Sequence, residues 1–183
     1  MSGPDSARLE ATLESGDVRI EPLAERHLDP LRAACAQDRE IWQIYPVNML
    51  GDGFDAAMEE FHQSDSWVRF AVIDRREDRV VGCTNYIDPN RFGVVEIGGT
   101  YLAPGVRGSG FNRTKKRLMI EHAFACGFHR IEFRVDTRNA RSMAAVLKLG
   151  AKQEGILRQN RITWTGYCRD TAVFGLLREE WAG

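Results

Sequence analysis

The spacing of apolar residues changes several times along the chain, and each change marks an element. From 17 to 23, Val18, Ile20 and Pro22 alternate with Arg19 and Glu21, which predicts a strand closed by the proline. Leu28, Leu31, Ala34 and Cys35 then recur at helical spacing, with Pro30 tolerable only in the first turn. Residues 38–52, which hold Trp42, Tyr45 and Pro46, read as a short helix or an ordered loop, and 53–63 as a further helix. Strands follow at 67–74 and 79–88, joined by the charged turn "RRED" as a hairpin, and a third runs from Val94 to Leu102 before "APG". A helix from Asn112 to about Cys126, a strand at 129–136 and a helix at 139–150 come next, the last stopped by Gly150. Two final strands flank the turn at Thr165 and Gly166. Antiparallel strands first, then alternating strand and helix, predict a mixed α/β fold around one twisted sheet.

Composition narrows the classes. At 183 residues the chain suits one domain, taken as 11–183 behind a frayed 1–10. A hydrophobic share of 43%, a charged share of 28% and a net charge of -1 argue against a general nucleic-acid or membrane-surface binder, so any positive patch is local. Cys35, Cys83, Cys126 and Cys168 are dispersed, which favours reduced thiols and a cytoplasmic protein. The N-terminus lacks the pattern of a secretion signal, and no stretch has the length of a membrane span. His27, His62, His122 and His129 are scattered and "CGFH" has no partner pair, so no metal site is expected. No G-x-S-x-G elbow supports covalent hydrolase chemistry.

The stretch with the most chemistry is "VRGSGFNRTKKR", 106–117: two glycines and four cations at the start of a helix. Backbone N–H groups already make a helix start positive, so added cations make sense if a polyanion binds there, and a pyrophosphate is the natural guest. The P-loop pattern is absent, and the dinucleotide fingerprint fails because Arg113 stands where its last glycine belongs. Upstream, Gly98 and Gly99 interrupt an apolar strand, the mark of a bulge or of a close backbone neighbour. Glu96 is a carboxylate in that strand, able to take a proton from an amine.

The loop is similar to that of the GNAT acetyltransferases, in which Gln or Arg is followed after two residues by Gly and, after one more, by Gly or Ala. Arg107 and Gly110 match, and Asn112 stands in the last place, explicable as an N-cap. With "VVEIGGTYLAPGVRGSGFNRTKKRLMIEHAF", "DTRNARSMAAVLKLGA", "EGILR" and "RDTAVFGLLREEW", the chain from residue 17 onward resembles the RimJ/RimL-like branch of that superfamily.

The resemblance implies a mostly antiparallel sheet of about seven strands, splayed between the fourth and fifth and flanked by helices. Acetyl-CoA, or another acyl-CoA, would be co-substrate. Its pyrophosphate would lie on Arg107, Gly108, Ser109, Gly110, Phe111 and Asn112, with Lys115 and Lys116 answering its charge, and its pantetheine arm along the backbone of Tyr101 and Leu102 and on Asn139. Ser142 would protonate the departing thiolate, because Val146 stands where many members carry a tyrosine. The acidic residue of the penultimate strand appears as Arg161, which shifts the base to Glu96 or water. Trp42 and Tyr45 would contact the acceptor, a protein or peptide N-terminal amine in this reading. The alternatives are a small amine or antibiotic acceptor, succinyl transfer, and a non-catalytic acyl-CoA-binding module. The family makes a homodimer plausible.

Overall fold

In the computed structural model, which describes residues 3–183, the alternating segments assemble into a single eight-stranded sheet ordered β1-β2-β3-β4-β5-β6-β8-β7. The strands are β1 (Leu13–Ser15), β2 (Val18–Pro22), β3 (Trp67–Asp74), β4 (Arg79–Ile87), β5 (Val94–Leu102), β6 (Arg130–Asp136), β7 (Lys152–Ile162) and β8 (Cys168–Leu177). The helices are α1 (Leu28–Cys35), α2 (Asp52–His62), α3 (Phe111–Ala125) and α4 (Ala140–Leu147). All neighbouring strands pair antiparallel except β5 with β6, which are joined through α3 and run parallel. The eighth strand is β1, three residues too short to show a period in the sequence, held by Leu13, Glu14 and Ser15 opposite Ile20, Arg19 and Val18.

The N-terminal segment corrects the expectation of a frayed 1–10. Asp5 caps a 3-10 turn at Ser6–Leu9, its backbone N–H donates to Cys126 O at 2.9 Å, and Leu9 is fully buried. Residues 1 and 2 lie outside the described residues.

Helices cover both faces of the sheet. On one, α3 buries Phe111, Met119, Ile120, Ala123 and Phe124, and the Tyr86 hydroxyl of β4 donates to Met119 O at 2.6 Å. On the other, α1 buries Leu31, Ala34 and Cys35, and the Tyr101 hydroxyl of β5 donates to Ala34 O at 2.7 Å. Each of the buried Phe, Met, Ile and Leu side chains contributes about 1.5–3 kcal/mol, and each tyrosine hydroxyl finds a backbone acceptor. The two helices therefore fix β4 and β5 from both sides.

Candidate active site

Parallel pairing between β5 and β6 lasts only three rungs: Val94 with Arg130, Val95 with Ile131 and Glu96 with Glu132. From Ile97 to Leu102, β5 has no β6 partner, so the sheet opens there. This is the splay expected between the fourth and fifth strands, numbered one later because of β1. A bulge in β5 accompanies it: Asn85 faces Gly98 and Cys83 faces Tyr101, so one extra residue is accommodated on β5. Gly99 carries the bulge at a φ of +56°, and a Cβ there would stand 2.3 Å from Asn85 Nδ2, which donates to the carbonyls of Gly98 and Gly99 at 3.3 Å each. Glycine is required by both conformation and space.

Glu96 occupies the last paired rung, at the root of the opening. Its side chain is 18% exposed, and Arg134 Nε lies 3.4 Å from Oε2. Burial pushes its carboxyl up to about 7, against the downward pull of Arg134 and Arg161. A carboxyl that shares its proton near neutral pH is matched to an amine of pKa about 7.7–8.0, which suits a general base.

The turn between β5 and α3 is shaped by Gly108 and Gly110, at φ of +79° and +84°, and Gly110 is the N-cap. Asn112 is therefore not the cap. It lies inside the first turn of α3, and its buried Oδ1 has no partner. The first turn-closing bond is Thr114 N to Gly110 O, which leaves the N–H groups of Phe111, Asn112 and Arg113 unspent by the helix and able to receive a diphosphate. Ser109 Oγ donates to Val106 O at 3.0 Å and holds the turn. A groove of about 340 Å³ bordered by Gly16, Arg76, Ser109, Gly110 and Thr114 runs beside it. A second cavity, of about 490 Å³ and lined by Glu21, His27 and Arg79 among others, has no lining residue in common with the opening.

Arg107 turns inward. Its Nε donates to Leu102 O at 2.7 Å and its Nη1 to Asp38, while its guanidinium lies 5.6 Å from the Tyr101 ring centroid. Burial works against the Asp38 charge, yet the Arg107 hydrogen bond holds its carboxyl below the usual value. The side chain is a strut from the loop to the segment after α1. Arg107→Ala is expected to weaken CoA binding about tenfold by loosening the turn, read by isothermal titration; an unchanged Kd would remove the strut from the binding account.

The lysines are a correction. Lys115 is fully buried, with Nζ 3.1 Å from both Thr84 Oγ1 and Thr100 Oγ1, and burial takes its pKa well below the usual value. Lys116 is 7% exposed, its Nζ 5.0 Å from the Phe133 ring centroid, and burial lowers its pKa to about 8. Both face the sheet, because the inner face of α3 includes these two positions together with Phe111 and Met119. Of the four cations only Arg113 and Arg117 are exposed, and Arg117 pairs with Glu121.

On the acceptor side, Trp42 is also a correction. It is 1% exposed, 4.7 Å from the Tyr101 ring and 5.0 Å from that of Tyr45, and its indole N–H donates to Cys35 O at 3.2 Å. It is core, not a lining residue. Tyr45 is half-buried and its hydroxyl donates to Thr100 O on the unpaired stretch of β5; burial raises its pKa. Trp164, unforeseen in the sequence, is 44% exposed and ties the β7–β8 turn to the Trp42 segment, donating from Nε1 to Trp42 O at 2.7 Å and from its backbone N–H to Pro46 O at 3.0 Å. A turn-borne tryptophan was its only sequence signal.

At the start of α4, Asn139 Oδ1 accepts from Ser142 N–H at 3.0 Å as a cap, which leaves its amide NH₂ for other work. Ser142 is half-buried. Val146 is 1% exposed, packed in the core. β5 carries Glu96, Tyr101 and Leu102 on one arm of the opening; Asn139 and Ser142 follow the other arm, β6.

The sequence profile of the acetyltransferase (GNAT) domain matches residues 17–152. The "Probable N-acetyltransferase YjcK" of Bacillus subtilis (strain 168) is 29% identical over 125 residues, 67% of this chain and 68% of its own. The crystal structure of a GCN5-related N-acetyltransferase from Brucella melitensis superposes with a TM-score of 0.86 at 28% identity, covering 98% of this chain and 84% of that one. The fold is also that of Mycobacterium smegmatis RimJ, at a TM-score of 0.76 and 17% identity over 94% of this chain and 88% of that one. A splayed sheet with a glycine turn leading into the helix beneath it, and a family profile spanning most of the sequence, place this chain in the GNAT N-acetyltransferase family.

Proposed function

We propose that the protein transfers an acetyl group from acetyl-CoA to the N-terminal amine of a protein or peptide, by direct attack in a ternary complex. The observation that carries this reading is Glu96: a carboxyl held near 7 at the root of the opening. The ammonium of the acceptor gives its proton to Glu96, directly or through water. The free amine attacks the thioester carbon, and the oxyanion is met by backbone N–H groups near Tyr101 and Leu102. The carbon–sulfur bond then breaks, the thiolate takes a proton from Ser142 or water, and the new amide nitrogen gives up its extra proton to restore that donor, while Glu96 releases the first proton to solvent. A thiol of pKa about 8.5 needs only a weak donor. An α-amine suits this site better than a lysine, whose pKa near 10.4 adds about 3 kcal/mol to deprotonation. The diphosphate lies on the open N–H groups of α3, and Asn139 bonds the pantetheine arm. The buried free thiols Cys35, Cys83 and Cys126 suit a reducing cytoplasm.

The test is thiol release from acetyl-CoA with a panel of peptides and small amines, with mass spectrometry to locate the acetyl group. Release with peptides and a label on the α-nitrogen is expected. Acetylation confined to small amines would move the acceptor class, and tight CoA binding without release on any amine would leave a non-catalytic module.

A further inference from the structure

The acceptor side of the opening holds more positive charge than its carboxylates balance. Register places the groups on one face: Glu96 pairs with Glu132, Arg134 with Val173, Asp136 with Thr171 and Arg161 with Arg169. Arg169 is joined to that face by its own hydrogen bonds, Nε and Nη2 donating to Thr171 Oγ1 at 3.1 and 3.0 Å. Most of the charges are already matched. Asp136 accepts from Arg138 backbone N–H, Nε and Nη2 at 2.9, 3.0 and 2.8 Å. Glu132 is shared between Arg130 at 3.1 Å and Arg134 at 3.4 Å.

Two guanidiniums remain. Arg161 has no ion pair among the described residues. Arg169 is 6% exposed, and its side-chain hydrogen bonds go only to the Thr171 hydroxyl, a neutral partner for a buried cation. Asp136 and Glu96 act on Arg169 through space, but among the described residues no carboxylate hydrogen-bonds its fork, so its donors mark a place for an anion from outside. The planar fork of arginine fits a carboxylate with two parallel hydrogen bonds. Arg161 acts on Glu96 through space, and the register puts both on one face, so an anion held here lies on the face of the sheet that carries the base.

We propose that Arg161 and Arg169 form an anion subsite for a carboxylate next to the acceptor amine, so that the preferred acceptor is a peptide N-terminus followed by an acidic residue. This rests on the reading of Glu96 as the base of an N-acyltransferase. Polycationic amines meet like charge at the same subsite and are poor acceptors.

The experiment compares peptides beginning Ala-Glu and Ala-Gln, with free alanine and alaninamide as small-molecule controls, using acetyl-CoA and thiol release. The expected result is a kcat/KM about tenfold higher for the Ala-Glu peptide at low salt, shrinking as salt screens the pair. Arg161→Gln, at an exposed position, brings the ratio of the two peptides to about one. It also moves the acid limb of the pH–rate profile upward, since Glu96 loses one of its lowering cations while Arg134, Glu132 and Asp88 still surround it. Arg169→Lys keeps a buried cation but loses the fork, and is expected to lower the ratio without unfolding the chain. Transfer to both peptides at equal rates overturns the subsite while the acyltransferase reading stands. A preference for free alanine over alaninamide with none between the peptides overturns the peptide assignment, and no transfer to any amine overturns both.

Discussion

Glu96→Gln lowers kcat/KM for acetyl transfer by about 10²–10⁴-fold, the contribution typical of a positioned general base, while the Kd for acetyl-CoA stays near the wild-type value. The carboxyl is held at about 7, so in the wild type activity falls as pH drops through that value and the base takes up its proton. The glutamine variant loses this limb. Stability moves the other way. Burial raises the folded-state pKa above the usual 4.5, so the favourable protonated form is fully present below pH 4.5 and its benefit is lost as pH rises through 7. At pH 8 the ionised group costs the fold on the order of 3 kcal/mol, and Glu96→Gln is expected to recover part of it as a higher urea midpoint. A variant both inactive and more stable at pH 8 is the signature of strain kept for function. Full activity in Glu96→Gln at pH 7 would remove Glu96 from the chemistry.

Lys115→Met is the second large effect, and it concerns the floor of the site. The lysine is fully buried without a carboxylate, hydrogen-bonded only to Thr84 and Thr100, whose hydroxyls already bond each other at 2.8 Å and keep that partner once it is gone. Its folded-state pKa is depressed, so the unfolded chain binds the proton more tightly. The penalty is absent above about pH 10.4 and grows as pH falls below it. Methionine of similar length is therefore expected to stabilise the fold at pH 7 by about 1–3 kcal/mol, with a flatter stability–pH curve between pH 8 and 10. Urea denaturation at pH 7 and pH 9.5 measures both. A less stable Lys115→Met protein at pH 7 would mean that the buried ammonium is compensated.

Much of the scaffold was legible from periodicity. Alternation at 17–23, 67–74, 79–88 and 94–102 gave strands that the structure places within a residue or two, and the helical spacing read over 25–38 gave α1, three residues shorter at each end. These segments each bury one face, and burial of one face imposes a period. Gly108 and Gly110 of the turn and Gly99 of β5 were recognisable because positive φ admits almost nothing else. Where the local signal was too short or had more than one solution, the sequence misled. Trp42 looked like a pocket aromatic, but only the packing of Cys35, Tyr45 and Tyr101 around it makes it core. Lys115 and Lys116 looked like phosphate ligands because charge at a helix start suggests solvent, and the long lysine stem let both reach under the sheet instead.

The sequence by itself determined the order of strands and helices, the glycine turn that opens α3 and the presence of a carboxylate inside an apolar strand, because backbone conformation and one-sided burial act over a few neighbouring residues. Only the tertiary structure decided the electrostatics. That Glu96 stands at the last rung of β5 and β6, that Arg107 is spent on Asp38 and Leu102, and that Arg161 and Arg169 share a face with Glu96 all depend on strands far apart in the chain meeting in one register. Charge acts through space and its strength is set by burial, and neither distance nor burial exists until the chain has folded.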